Sequence, residues 1–366
     1  MAERTVVVLA GDGVGPEVVA EARACLAEVI EDLRFDPRPI GGCALDSGES
    51  PLPAETLDAC RSADAVLLGS VGGPRWNEVA AERRPEQGLL ALRRELGCWA
   101  NLRPVRIPDA LAARSPVREE LVRGCDMLIV RELLGGIYFG EPRGETVTRQ
   151  GRRAHDTMVY TDDEVRRIAR IAFQLACERR RQVLSVDKAN VLATSALWRE
   201  VVVDVSAEFP DVTLEHMLVD ACAFALPTRA REFDVVLTAN LFGDILSDAA
   251  GALAGSLGLL PSASLGDAGV GIFEPIHGSA PDLAGHDRAN PIGAILSAAM
   301  LARHGLGEEP AARRIEAAVD EVLAAGLITP DVGGTATTSE VGAAVRSILA
   351  GDARRGRERS SSTLPR

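Results

Sequence analysis

The chain has 366 residues, 46% of them hydrophobic and 25% charged, a globular composition too long for one typical core, so two domains are expected. A net charge of -13 and a sequence pI of 5.0 exclude the basic surface that a polyanionic partner selects, so neither nucleic acid nor an anionic membrane is expected. The seven cysteines are scattered and never form a C-x-x-C pair, which points to free thiols in a reducing, cytoplasmic compartment, without a zinc site or a disulfide framework. No signal-type stretch precedes the first strand, and no run approaches the roughly 20 apolar residues of a membrane span.

Apolar residues predict a strand over 5–9, then the loop Gly11-Asp-Gly-Val-Gly-Pro16 and a helix over 17–32. The loop lacks the third glycine of a dinucleotide fingerprint, Pro16 standing in its place, so it reads as a tight turn near a ligand. A buried strand over 65–68 ends in Gly69-Ser-Val-Gly-Gly-Pro74, and 85–96 has helical spacing of Leu89, Leu92 and Leu96. A helix near 117–123 precedes a strand over 127–130 that runs into Arg131 and Glu132. Residues 145–160 read as an exposed hairpin or arm of the kind that serves dimerisation. Thr161 begins a helix over 162–181, a strand leads into Lys188, a helix covers 195–208, and a strand over 212–219 delivers Asp220. After a strand over 233–237, Asn240 is expected to cap a helix that carries Asp244 and Asp248 one turn apart. Residues 255–266 and 273–282 are turn-rich, helices are expected at 291–303 and 310–325, and the Ser/Arg-rich stretch 351–366 reads as a disordered tail. Alternating strands and helices indicate an α/β fold with much parallel sheet, whose ligands bind at the carboxyl ends of strands.

Lys188 is the only lysine, every other basic residue being arginine. Arginine is never deprotonated in a protein whereas a lysine can act as acid or base, so Lys188 is a candidate for proton transfer unless it is a survivor of compositional drift. Asp220, Asp244 and Asp248 form an all-oxygen set suited to Mg2+ or Mn2+. First-turn aspartates also simply favour the helix dipole, so this pattern alone leaves both readings open.

Several ordered motifs then point one way: Gly11-Asp-Gly-Val-Gly-Pro-Glu17, Leu68-Gly-Ser-Val-Gly-Gly-Pro74, Arg84-Pro-Glu-Gln-Gly-Leu-Leu90, Asn101-Leu-Arg-Pro104, Gly135-Gly-Ile-Tyr-Phe-Gly140, Val186-Asp-Lys-Ala-Asn190, Asn240-Leu-Phe-Gly-Asp-Ile-Leu-Ser-Asp248 and Glu274-Pro-Ile-His-Gly-Ser-Ala-Pro-Asp282. With them the chain resembles the isocitrate/isopropylmalate dehydrogenase family of metal-dependent β-decarboxylating dehydrogenases, from about residue 6 to 349, and its isopropylmalate branch in particular. The resemblance implies two α/β domains sharing a large mixed, mainly parallel sheet that is not a Rossmann fold, the first made of 1–99 and 256–350, the second of 100–255. It implies NAD-dependent oxidative decarboxylation of 3-isopropylmalate to 4-methyl-2-oxopentanoate and CO2 in leucine biosynthesis, with sister activities on D-malate, tartrate or homoisocitrate as the alternative and a catalytically silent paralogue as a remote one.

By position, the resemblance implies that Arg93, Arg103 and Arg131 hold the substrate carboxylates, that Glu86, Leu89 and Leu90 meet its γ-substituent, and that Asp220, Asp244 and Asp248 bind Mg2+ or Mn2+. Lys188 would take the hydroxyl proton and Tyr138 would assist protonation of the enol carbon. NAD would lie against Val14, Glu86, Asn190, Glu274, His277, Gly278, Ser279, Ala280, Asp282 and Asn290, with Asp282 disfavouring a 2′-phosphate. Lys188 and Asp220 would serve the site of a second subunit, so a homodimer with shared active sites is implied. The departures, Ala10, Leu134 and Ala239, fall on no implied catalytic residue.

Overall fold

The computed structural model describes residues 3–267 and 269–361, with residues 353–361 by backbone alone. In chain order the strands are β1 (Arg4–Gly11), β2 (Leu33–Pro37), β3 (Ala65–Ser70), β4 (Cys98–Arg106), β5 (Asp126–Glu132), β6 (Gly144–Thr148), β7 (Gly151–His155), β8 (Gln182–Asp187), β9 (Thr213–Leu218), β10 (Val235–Thr238), β11 (Pro261–Gly266) and β12 (Gly271–Pro275). The chain forms two compact units: one holds the residues up to Leu96, Pro108–Arg114 and the residues from Gly255 onward, and the other holds Gly97–Ile107 and Ser115–Ala254. The expected second domain was unbroken. Its excursion into the first unit is explained by the short helix Asp109–Ala112, which buries Leu111 and Ala112 and packs near the helix Glu309–Ala324.

In the first unit the strand order is β2-β1-β3-β12-β11, parallel except for the antiparallel β11 and β12 pair. Val6, Val7, Val8 and Leu9 of β1 are all buried, as befits a parallel strand covered on both faces. The helices Gly15–Val29 and Ile292–Met300 pack on each other in this unit, and the second of them is buried at almost every position. β11 and β12 fall where the sequence looked turn-rich: strands this buried carry no alternation, and Ser262, Ser264 and Gly271 hid them.

In the second unit the order is β4-β5-β10-β8-β9, with only β4 and β5 antiparallel, and β6 and β7 form a separate exposed hairpin at the expected arm. The helix Asp162–Cys177 begins in a capping box in which Thr161 accepts from the Glu164 N–H and Glu164 accepts from the Thr161 N–H. Such a cap is worth about 1 kcal/mol. A helix that the sequence did not suggest, Val219–Arg229, follows β9 at once, with Pro227 inside it.

Two further expectations are corrected. The helix at 117–123 shrinks to Glu119–Val122. The tail from Gly351 is not wholly irregular, since the helix Thr338–Ser361 runs into it as far as Ser361. Arginine and glutamate are good helix formers, no proline intervenes before Pro365, and each glycine costs only about 1 kcal/mol. Residues 362–366 lie outside the described residues. Among the described residues no helix is long and apolar enough to cross a membrane.

Candidate active site

In the second unit two arginines of β4 and β5 converge with two aspartates and a tyrosine. Arg103 on β4 donates to Asn101 Oδ1 at 2.8 Å, to Ser247 Oγ at 2.5 Å and to Asp248 Oδ1 at 3.3 Å. Arg131, 2% exposed, donates through Nε and Nη2 to Asn240 Oδ1 at 3.0 and 2.8 Å and pairs through Nη1 with Asp244. Tyr138, in the short turn Gly136–Tyr138, donates its hydroxyl to Asp244 Oδ2 at 2.8 Å, with the Arg131 guanidinium 5.9 Å from its ring centre. The helix Asn240–Ala254 supplies Asp244 and Asp248 one turn apart, as the spacing implied.

These neighbours set the protonation states. Burial works to raise the Asp244 carboxyl, but Arg131, the Tyr138 hydroxyl and Arg103 outweigh it and hold it below the usual carboxylate range. Asp248 is held above that range by burial, with Asp244 adding to the effect and Arg103 opposing it. Burial first, and then Asp244, push the Tyr138 hydroxyl up to about 12, so it keeps its proton at neutral pH. Two acids on one helical face, one of them strained by burial and a like charge, with oxygen donors only, fit a hard divalent cation. Among the described residues, however, no three metal-ligating side chains of one chain come together.

The third implied acid, Asp220, is engaged instead with Lys188. Lys188 Nζ lies 2.5 Å from Asp220 Oδ1. The buried carboxylate of Asp187 fixes this corner by accepting from the Ala189 N–H at 2.8 Å and from both arms of Arg199 at 2.9 Å. The Lys188 ammonium holds the Asp220 carboxyl below its ordinary value. Asn190 is exposed on the turn that follows.

In the first unit the helix Pro85–Glu95 presents Glu86, Leu89, Leu90 and Arg93 at i, i+3, i+4 and i+7, one continuous stripe. Leu89 and Leu90 are half-buried, Glu86 is exposed and Arg93 is buried. Glu86 lies against Gly72, where φ is +101° and an added Cβ would come within 2.4 Å of the carboxylate. Arg93 Nη2 donates to Glu274 Oε1 at 2.6 Å, while its Nε is buried without a partner.

The glycine loop joins the same unit's ligand wall. Asp12, 5% exposed, accepts from the N–H groups of Gly42, Cys43 and Gly72, each at 2.8 Å. The Val14 N–H donates to Ser279 O at 2.9 Å. A cavity of about 470 Å³ opens here, lined among others by Val14, His277, Ala280, Leu283, Arg288 and Asn290. His277 Nδ1 lies 2.8 Å from Gly278 O, and a carbonyl only accepts, so Nδ1 carries the hydrogen and Nε2 is a buried acceptor without a partner. Burial lowers the pKa of this ring and keeps it neutral at physiological pH. Gly278 and Asp282 are exposed, whereas the amide of Asn290 is already spent on Asp331 and on the Ile292 N–H.

Sequence reasoning missed Arg288, one arginine among many, and misread Asn240. Asn240 does not cap its helix, because its side chain turns to Arg131 and to the backbone of residues 133 and 135.

The family profile described as isocitrate/isopropylmalate dehydrogenase matches residues 5–345. The chain belongs to this family. Curated relatives of this dehydrogenase family include the 3-isopropylmalate dehydrogenases of Anaeromyxobacter dehalogenans, 53% identical over 91% of this chain and 96% of that one, and of Zymomonas mobilis, 52% identical over 94% and 99%. Among solved structures of the family, isocitrate dehydrogenase from Methylococcus capsulatus superposes with a TM-score of 0.86 at 32% identity, covering 95% of this chain and 99% of that one. A β-decarboxylating dehydrogenase from Thermococcus kodakarensis, in its apo form, gives 0.78 at 38% identity, covering 95% and 96%.

Proposed function

We propose that this family member oxidises and decarboxylates 3-isopropylmalate with NAD+, giving 4-methyl-2-oxopentanoate, CO2 and NADH in leucine biosynthesis. The observation that carries the choice of substrate is the stripe on the helix Pro85–Glu95, where two half-buried leucines stand one turn before a buried arginine. That pairing suits a malate carboxylate bearing an isopropyl branch. A third carboxylate, as in isocitrate, would be stranded against Leu89 and Leu90 without a partner, a cost of several kcal/mol.

Arg103 and Arg131 would clamp the malate carboxylates with planar, bidentate geometry, and Arg93, paired with Glu274, is the further arginine that the resemblance assigns to a substrate carboxylate. Asp244 and Asp248 would hold Mg2+ or Mn2+, which as a Lewis acid acidifies the hydroxyl and stabilises the enolate when bound. Lys188 would take the hydroxyl proton while hydride leaves C2 for NAD+. Loss of CO2 from the resulting 2-oxo acid then leaves an enol, and protonation at C3 draws on the Tyr138 hydroxyl. NAD+ would occupy the cavity lined by Val14, His277, Ala280 and Asn290, with Asp282 disfavouring a 2′-phosphate.

One chain does not complete this set, because Asp220 and Lys188 hold each other and, among the described residues, no third acid joins Asp244 and Asp248. A second copy would supply them. The contiguous helices Val219–Arg229 and Asn240–Ala254 leave Phe224 78% and Ile245 57% exposed, and burying such side chains against a twin favours a homodimer. The deciding experiment is steady-state kinetics with isopropylmalate, D-malate, tartrate, homoisocitrate and isocitrate, each with NAD+ and with NADP+. The reading requires isopropylmalate with NAD+ to have the highest kcat/KM. A tenfold preference for D-malate, about 1.4 kcal/mol at the transition state, would overturn it.

A further inference from the structure

Asn240 is fully buried and touches nothing that reacts, yet every polar atom of its side chain is committed. Its Oδ1 accepts from Arg131 Nε at 3.0 Å and Nη2 at 2.8 Å. Its Nδ2 donates to Leu133 O at 2.9 Å and to Gly135 O at 3.0 Å, the backbone that leads directly into the turn Gly136–Tyr138. Only one orientation of the amide works, since the opposite one would set NH2 against guanidinium and oxygen against two carbonyls. The Asn240 N–H in turn donates to the hydroxyl of Tyr160 at 2.8 Å. One turn further along the helix Gly243 leaves room for the same arginine, for a Cβ there would come within 2.7 Å of Arg131 Cγ.

We infer that Asn240 is a positioning residue that locks two groups of the reaction into one register, the Arg131 clamp and the loop carrying Tyr138. This inference rests on the function proposed above, in which Arg131 holds a substrate carboxylate and Tyr138 serves protonation of the enol. The physical basis is economy of geometry. An arginine has many rotamers, and a glycine-rich turn has a wide choice of backbone states. A single rigid amide, itself held by its own helix, removes both freedoms at once. No smaller polar residue offers an acceptor on one side and two donors on the other. A carboxylate at the same position would face the carbonyls of residues 133 and 135 with like partial charge.

The test is a pair of double-mutant cycles, Asn240→Ala crossed with Tyr138→Phe and with Arg131→Gln, reading kcat in the first and the Kd of isopropylmalate by calorimetry with Mg2+ in the second. In the parent background Asn240→Ala is expected to lower kcat and weaken substrate binding by roughly tenfold each, while in the crossed backgrounds its effect shrinks to about twofold, because the group it positions is gone. Asn240→Ser is run alongside in case the alanine protein does not fold. Losses of equal size in parent and crossed backgrounds would overturn the inference, as would variants that keep kcat and Kd but melt lower. Insoluble protein from both would assign Asn240 to folding and overturn it as well. A parent enzyme that does not oxidise isopropylmalate would defeat the proposed function instead, and the cycles would then be run with whichever acid of the panel it oxidises.

Discussion

Arg93 and Glu274 form an ion pair of 2.6 Å in which both side chains are at least nine-tenths buried, joining a residue assigned to substrate with one assigned to cofactor. Removing one partner of such a pair leaves a buried charge uncompensated. Glu274→Gln should therefore lower the unfolding free energy by about 3 kcal/mol, as measured by urea denaturation. Isopropylmalate should restore more stability to this variant than it adds to the parent, because its carboxylate replaces the missing one. Equal ligand-induced shifts in the two proteins would mean that Arg93 does not meet the substrate.

Lys188→Arg keeps the cation beside Asp220 and replaces the amine assigned to take the hydroxyl proton with a guanidinium that stays protonated. Oxidation should fall by roughly 10³-fold or more with the melting temperature within a few degrees of the parent's. A variant retaining most of its kcat would reduce the lone lysine to an accident of composition.

The proposed sharing of sites between two copies predicts complementation. Lys188→Met and Asp244→Asn proteins should each be inactive, and their co-refolded mixture should recover roughly a quarter of parental activity, since half the dimers are mixed and each holds one intact site. Phe224→Asp should yield a folded, inactive monomer by sedimentation.

The two tyrosines report on the site without any substrate. The Tyr138 hydroxyl is pushed up to about 12, and the Tyr160 hydroxyl is also raised, chiefly by burial. A folded-state value above the unfolded one means that their stabilisation is complete below the unfolded pKa of about 10 and is lost as pH climbs through the folded value. Tyrosinate absorbance of the native protein should therefore stay flat through pH 10. Asp244→Asn removes the neighbouring charge that raises Tyr138, so one tyrosine should then titrate earlier. An unchanged curve would refute the contact.

Much of this was legible because the chemistry sits where period and punctuation change. Lys188 and Asp220 stand just past strands, Arg131 near the end of one, and Asp244 and Asp248 share a helical face, so spacing offered them as candidates while the ordered motifs around them supplied their roles. β11 and β12 were not legible, since a strand buried on both faces shows no alternation. Nor was the true task of Asn240, because an asparagine opening a helix has the same local sequence whether it caps its own backbone or reaches to an arginine over 100 residues earlier. The pairing of Arg93 with Glu274 is likewise a tertiary fact that no local window contains.

The excursion of Pro108–Arg114 and the late arrival of β11 and β12 bear on how the protein is made. The second unit is complete once Ala254 has left the ribosome, whereas β3 must wait for β12, pairing Ala65 with Gly271. During synthesis β3 therefore presents an unpaired edge until β12 arrives, and an unpaired edge is a template on which aggregation can begin.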